Sequence, residues 1–308
     1  MPPPPDADGA ADARLETDGY RCEPTALRRS FDRAAASYDG AAILQGEVRE
    51  ELLRRLDYVS LAPRRVVDAG AGTGHASRAL RRRYPRAHVV ALDLALGMLR
   101  AARRQQSWWR RFDRVCGDLA CLPFADGSID LLFSNLALPW CEPDVVLAEV
   151  RRVLAPGGLF SFTSLGPDTL RELRAAWVQA DGGAHVNRFL DMHDLGDALV
   201  RARFAQPVLD VELRTVTYAD VGGLMADLKA CGARNVLAGR ARGLTGKGKL
   251  RAMRAAYERH RCEGRLQASC EVVFGHAWAS AARTPARGGD TTIAFEDFRR
   301  QLRTAARR

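Results

Sequence analysis

Ten residues, Arg65-Val66-Val67-Asp68-Ala69-Gly70-Ala71-Gly72-Thr73-Gly74, constrain most of what this chain can fold into. Two β-branched residues and an acid run without a break into three glycines at alternate positions, and a helix-forming stretch from Ala76 to Arg83 follows. Strand, glycine loop and helix in that order open a βαβ unit, because a parallel partner strand can be reached only through a crossover of this kind. The pattern then recurs. His88 to Asp93 reads as a second strand ending in an acid, followed by a helix from about Ala95 to Gln105. A third short strand, Asp113 to Gly117, ends at Asp118, and a fourth runs from Ile129 to Ser134. A helix from Asp144 to Leu154 stops at Pro156-Gly157-Gly158 before a fifth strand, Leu159 to Thr163. This alternation predicts an α/β fold, a parallel sheet with helices on both faces.

Apolar residues at helical spacing (Ile43, Val48, Leu52, Leu53, Leu56) predict two helices within 25–62, ended by Pro63. Helices at Thr169 to Gln179, Met192 to Ala202 and Ala219 to Cys231 follow the core, with closing strands at Arg203 to Ala205, Val208 to Thr217 and Ser269 to Ala277. Residues 1–24, rich in Pro, Ala and Asp and lacking a basic-then-apolar leader, read as a disordered tail and not as a secretory signal. Residues 279–308 read as a basic tail with one short strand candidate at Thr291 to Phe295. Apolar runs such as Leu131 to Trp140 fall short of the ~20 residues that cross a bilayer. Seven cysteines without a CxxC pair suit a reducing cytoplasm and predict neither a disulfide framework nor a metal site.

The acids at the strand ends define the ligand. A dinucleotide site wants G-x-G-x-x-G; here the spacing is G-x-G-x-G and Asp68 stands two residues before the first glycine, where it would repel a pyrophosphate. An acid there suits a cationic ligand, and S-adenosylmethionine, with its α-amino group and sulfonium, is the candidate. Gly70, Gly72 and Gly74 would let the backbone approach its amino-acid end. Asp93 would accept the two ribose hydroxyls and Asp118 the adenine amine, with Leu94, Met98 and Leu119 as apolar walls and Asn135 closing the fourth strand. Residues 234–265 carry ten Lys or Arg against Glu258 and Glu263, so much of the formal charge of +10 is local. Neither an Asn-Pro-Pro-Tyr type of motif after strand four nor an aromatic-interleaved basic platform accompanies it, which argues against a nucleic-acid substrate.

The segments DAGAGTG, ALDLALGML, GDLACLPFADGSIDLLFSNLALPW and EVRRVLAPGGLFSFTSLGPDTLREL resemble a Rossmann-like class I methyltransferase, which implies an α/β fold with a mostly parallel seven-stranded sheet and helices on both faces. More narrowly, RRSFDRAAASYD (Arg28 to Asp39), SNLALPWC, HVNRF (His185 to Phe189) and the stretch from Leu228 through GLTGKGKL to EVVFGHAW resemble the malonyl-acyl-carrier-protein O-methyltransferases of biotin synthesis, over roughly residues 26–278. Methyltransferase-like assembly factors of respiratory complex I share some of these features and form the rival within the fold, beside other small-molecule methyltransferases.

The resemblance implies methyl transfer from S-adenosylmethionine to the free carboxylate of a malonyl thioester on acyl-carrier protein or coenzyme A, giving the ester that primes pimeloyl synthesis. It also implies a methyltransferase domain over 25–278: a helical lid at 25–62, the core at 63–217, and a substrate- or carrier-facing piece at 218–278. A carboxylate is already ionised at pH 7, so orientation and shielding matter more than a strong base. Tyr38, Trp140, His185 and Arg188 are the expected orienting groups, with Arg188 on the malonyl carboxylate or thioester oxygen. Acyl-carrier proteins are acidic, and Arg240, Arg242, Lys247, Lys249, Arg251 and Arg254 are the expected docking patch.

Overall fold

The computed structural model describes residues 22–280, apart from 107, 110, 184, 238–242 and 244. Most of both terminal tails, Arg240, Arg242 and the strand candidate at 291–295 therefore lie outside the described residues. Three helical segments open the chain: α1 (Pro24–Ala34), α2 (Tyr38–Ala41) and α3 (Ile43–Arg55). The core follows as β1 (Arg65–Ala69), α4 (His75–Arg83), β2 (His88–Asp93), α5 (Leu96–Arg104), β3 (Asp113–Cys116), β4 (Ile129–Ser134), α6 (Pro143–Val153) and β5 (Leu154–Leu165). Then come α7 (Arg171–Asp181), α8 (Met192–Arg201), β6 (Phe204–Tyr218), α9 (Val221–Ala230), α10 (Lys247–Tyr257), β7 (Arg261–Cys262) and β8 (Arg265–Ala279).

The strand order is β3-β2-β1-β4-β5-β8-β6, with the two-residue β7 hairpinned onto β8. The first five are parallel; β8 runs antiparallel between β5 and β6. Successive strand residues point to opposite faces, which explains why the central strands read as continuous apolar runs. Val67, Leu132, Phe160 and Phe162 pack with Val146, Val150, Leu195 and Leu199 of α6 and α8. Val66, Leu131, Phe133 and Leu159 pack with Val48 and Leu52 of α3 and with Leu80 and Leu99 of α4 and α5. A smaller core joins Trp177, Leu224, Met253 and Tyr257, from α7, α9 and α10, to Leu266 and Ala268 of β8.

Several boundaries depart from the sequence reading. Cys22 bridges to Leu237 and the Glu23 N–H donates to the Val236 carbonyl at 2.9 Å, so these two residues belong to the ordered fold. Extended pairing resumes at Leu154 against Ile129, with the register shifting before Leu131 pairs Leu159; Pro156-Gly157-Gly158 thus sits in an irregular stretch of β5 and does not separate helix from strand. The two closing strands at 203–217 are one strand, β6, irregular between Ala205 and Val208. β8 is fifteen residues long and starts at Arg265, four residues before the expected Ser269. Among the described residues, no helix is long and apolar enough to cross a membrane.

Candidate active site

The parallel strands end, on their carboxyl side, at one cavity of about 1030 Å³ roofed by α1, α2, α7 and α9. Gly70, Gly72, Asp93, Leu94, Met98, Asp118, Leu119 and Asn135 all line it. The glycine loop turns back on β2, with the Gly70 and Ala71 N–H groups donating to the Leu92 carbonyl at 2.8 and 3.0 Å. Gly70 sits at φ 76°, and a Cβ there would come within 2.4 Å of the Ala137 Cβ, so only glycine fits this turn.

Asp93 is 9% exposed. Its Oδ2 accepts the Gly72 N–H and its Oδ1 the Ala95 N–H, both at 2.8 Å. Burial pushes its carboxyl up to about 6, against the pull of those two donors. Asp118 Oδ1 accepts the Ala120 N–H at 2.9 Å. Asn135 is held from both sides: its Nδ2 donates to the Gln45 carbonyl, and its Oδ1 accepts from Thr163 Oγ1, each at 3.1 Å. Leu136 and Leu170, both on the wall, have left-handed backbones at φ 53° and 54°, a strain of the kind that concentrates at functional sites.

Two expected cofactor residues lie elsewhere. Asp68 is sealed below the loop, 1% exposed, and accepts the Ser77 hydroxyl at 2.5 Å; it braces α4 against β1 and does not face the cavity. Gly74 caps α4 at φ 79°, where a Cβ would meet Ala102 at 2.9 Å and Phe112 at 3.0 Å, so helix packing explains this glycine. Burial, with the nearby Asp93 adding, pushes the Asp68 carboxyl up to about 7. The folded state therefore keeps a proton that the unfolded chain, near pH 4, has already released, and stability falls as pH rises between those values. Asp68→Asn keeps an acceptor for Ser77 and removes the ionisable group. Its melting temperature should gain on the wild type at pH 8 relative to pH 4, and an equal difference at both would refute this origin.

Of the expected orienting groups, Tyr38, Trp140 and His185 line the cavity and Arg188 does not. Trp140 meets Phe31 of α1 edge-on, with centroids 5.4 Å apart. Burial raises the Tyr38 phenol above its ordinary range. The next residue, Asp39, accepts the Thr73 hydroxyl at 2.5 Å and so ties α2 to the glycine loop. His185 stacks on Trp177, centroids 3.8 Å apart, and its Nε2 lies 2.9 Å from Asp181 Oδ1. Arg188 is exposed, whereas its neighbours Asn187 and Phe189 are buried and line the cavity. A loop has no periodicity from which to read which residue faces inward.

In α10, Lys247, Arg251 and Arg254 share one exposed face at i, i+4 and i+7, opposite the buried Met253, Ala256 and Tyr257. Lys249 is also exposed, but its Nζ lies 3.3 Å from Asp181 Oδ2, within the network that holds His185. Thr245, two residues before α10, lines the cavity, as do the exposed Arg28, Lys229 and Arg234, three cations that sequence reasoning did not single out. Cys22, Cys141, Cys231 and Cys270 line it too, and burial pushes each thiol up to about 11 or 12, so they stay neutral and poorly nucleophilic.

Residues 67–162 match the family model described as a methyltransferase domain. The chain is 52% identical over 288 residues to a malonyl-acyl-carrier-protein O-methyltransferase of Methylovorus sp. strain MP688, covering 91% of this chain and 97% of that protein. It is 53% identical over 276 residues to the protein of the same name from Laribacter hongkongensis, covering 87% and 93%. Among solved structures, the YcgJ protein of Bacillus subtilis shares the fold with a TM-score of 0.55 at 16% identity, covering 77% of this chain and 99% of that one.

Proposed function

The chain belongs to the malonyl-acyl-carrier-protein O-methyltransferase family, and from that premise we propose that it moves a methyl group from S-adenosylmethionine to the free carboxylate of a malonyl thioester. The ester would mask the charge of the malonyl group and let it be elongated toward pimeloyl for biotin, in the cytoplasm. The observation that carries this reading is a mainly apolar cavity that reaches from Gly70 and Asp93 to Trp177 and Asn187; its volume of about 1030 Å³ stands at the top of the ~300–1000 Å³ range of ligand pockets, which suits a co-substrate and the malonyl end of a substrate side by side.

The residues at the strand ends fit the co-substrate. Gly72 leaves room for its amino-acid end beside the Gly70 turn, the Asp93 carboxylate offers acceptors to the ribose diol, Asp118 offers one to the adenine amine, and Met98 and Leu119 provide the flat apolar walls. S-adenosylmethionine supplies an electrophilic methyl on a sulfonium. The chain's own contribution is to hold an anionic carboxylate in line with that methyl and keep water away. Charge disperses as the two opposite charges approach, so a dry aromatic wall of Phe31, Tyr38, Trp140 and Trp177 favours the step more than a strongly solvating one would. His185, fixed by Trp177 and Asp181, shapes the far wall, and no side chain is required to remove a proton.

For the carrier, the exposed face of Lys247, Arg251 and Arg254 offers a positive surface to an acidic partner, and the exposed Arg28, Lys229 and Arg234 add positive charge at the cavity itself. Arg188 is left out of the substrate contacts, and Lys249 is assigned to Asp181 ahead of the carrier. The test is methyl transfer followed by intact mass, with malonyl-carrier protein, malonyl-coenzyme A, acetyl-carrier protein and unacylated carrier offered side by side. One added methyl on the malonyl species alone is expected, and transfer to acetyl or bare carrier, or to none, refutes the reading. In the same assay, Arg251→Glu with Arg254→Glu should raise the apparent KM for the carrier-bound substrate and spare the coenzyme A one; an equal change in both removes the patch from docking.

A further inference from the structure

The mouth of the cavity carries charge that the fold itself does not use. Most residues of the lining are buried or half-buried, and the exposed ones mark the rim; Arg28, Lys229 and Arg234 are among them. None of these three side chains makes an ion pair with a described residue. Among the described residues, Glu142 is the exposed acid of the same lining, while Asp93 and Asp118 lie at the strand ends.

Two segments running side by side gather the three cations. The Glu23 N–H donates to the Val236 carbonyl at 2.9 Å, the Ser30 hydroxyl to the Gly232 carbonyl at 3.0 Å, and the Ser37 hydroxyl to the Ala230 carbonyl at 3.0 Å. Residues 23–37 therefore face 236–230 in reverse order. Arg28 falls between the first two ties on one segment, Arg234 between them on the other, and Lys229 stands beside the third, in the last turn of α9. The approach is close, since a Cβ on Gly232 would stand 2.9 Å from the Phe31 ring. Cations drawn to one rim repel one another, and an anion seated among them removes that cost.

The malonyl carboxylate is not that anion, because it has to reach the methyl group held at the strand ends. Behind the thioester, the pantetheine arm carries amides and a hydroxyl but no charge until the phosphate at its far end. That phosphate is a diester to a serine in carrier protein and part of a diphosphate in coenzyme A. An uncharged arm suits the wall of Leu27, Leu173, Val186 and Leu228, and guanidinium and ammonium groups at the rim suit a phosphate. We propose that Arg28, Lys229 and Arg234 form a binding site for the phosphate that ends the pantetheine arm, the anion that both kinds of malonyl thioester share. This inference rests on the malonyl-thioester reading and refines it. It differs from the exposed face of α10, which would meet the carrier's own surface.

The experiment compares malonyl-phosphopantetheine with malonyl-pantetheine, which lacks only the phosphate. Malonyl-carrier protein and malonyl-coenzyme A are run beside them to separate the two natural sources. Wild-type kcat/KM should favour the phosphorylated substrate about tenfold, the scale of two or three exposed charge pairs together. The preference should shrink as ionic strength rises. With Arg28→Gln, Lys229→Gln and Arg234→Gln combined, it should vanish, and transfer to carrier protein and to coenzyme A should fall alike. Arg28→Lys with Arg234→Lys, which keeps the charge, should keep the preference. S-adenosylhomocysteine affinity should hold in every variant. Equal wild-type turnover of the two small substrates, a preference that survives in the triple variant, or a loss confined to carrier protein would each overturn the inference. Weakened S-adenosylhomocysteine binding would do so too, by assigning these cations to the cofactor. In all these cases the malonyl-thioester reading stands; no wild-type transfer to any of the four substrates overturns that reading as well.

Discussion

Asp93→Ala should weaken S-adenosylhomocysteine binding at least a hundredfold and reduce methyl transfer in step. A hydrogen bond to a charged acceptor is worth about 1.5–3 kcal/mol, and this carboxylate is proposed to receive two from the ribose. The substitution also removes the acceptor for the Gly72 and Ala95 N–H groups, so the glycine loop loses the brace that holds it in shape. Asp93→Asn is expected to fail nearly as badly: a carboxamide accepts on one side only, and its NH₂ would face one of those two backbone donors. The wild type loses the same acceptor by protonation. With burial holding the Asp93 carboxyl at about 6, cofactor affinity should be level above that pH and decline as pH falls through it. Calorimetric titration between pH 5 and 8 reads both effects, and wild-type affinity in the alanine variant would exclude Asp93 from the cofactor site.

Phe162→Ala should cost about 3–5 kcal/mol of folding stability, a large share of the ~5–15 kcal/mol that holds a typical domain together. The ring is fully buried in β5 and stacks on Phe160 with centroids 4.5 Å apart. It lies across Gly275 of β8, its register partner, so closely that a Cβ on that glycine would stand 2.3 Å from the ring's Cζ. A glycine has no side chain to swing into the space left by a deleted ring, so the cavity stays open and the penalty falls at the high end. Urea unfolding should show a lower midpoint at an unchanged slope. A loss within the ~0.5 kcal/mol of an ordinary surface change would contradict this packing.

The parallel half of the sheet was legible because burial on both faces leaves a written trace: Val66-Val67, Val89-Val90 and Leu131-Leu132 are apolar at consecutive positions, and each pair splits between the two cores. The strand-end acids were legible for a similar reason, since β2 ends at Asp93 beside the glycine loop by topology alone. Less legible was anything decided by side-chain direction at close quarters. Asp68 and Gly74 belong to the same motif as Gly70 and Gly72, yet one points beneath the loop and the other serves helix packing. Arg188 and Asn187 are adjacent in a loop, and charge drew attention to the residue that faces outward. Arg28, Lys229 and Arg234 come from segments some two hundred residues apart and meet only in three dimensions.

The position of β8 has a further consequence, in time. Among the described residues it is the last strand to be made, yet it lies between two that precede it, and it pairs with β6 from Leu266 to Ala279 and with β5 from Val272 to Trp278. Throughout the synthesis of residues 219–264, the growing chain holds β5 with one edge bare and β6 with no partner. Chains emerge at roughly 5–20 residues per second, and unpaired strand edges invite association with other chains over that interval. The nascent protein thus completes the parallel half of its sheet early and the antiparallel half late, and a chaperone would find its longest work on the part still waiting for β8.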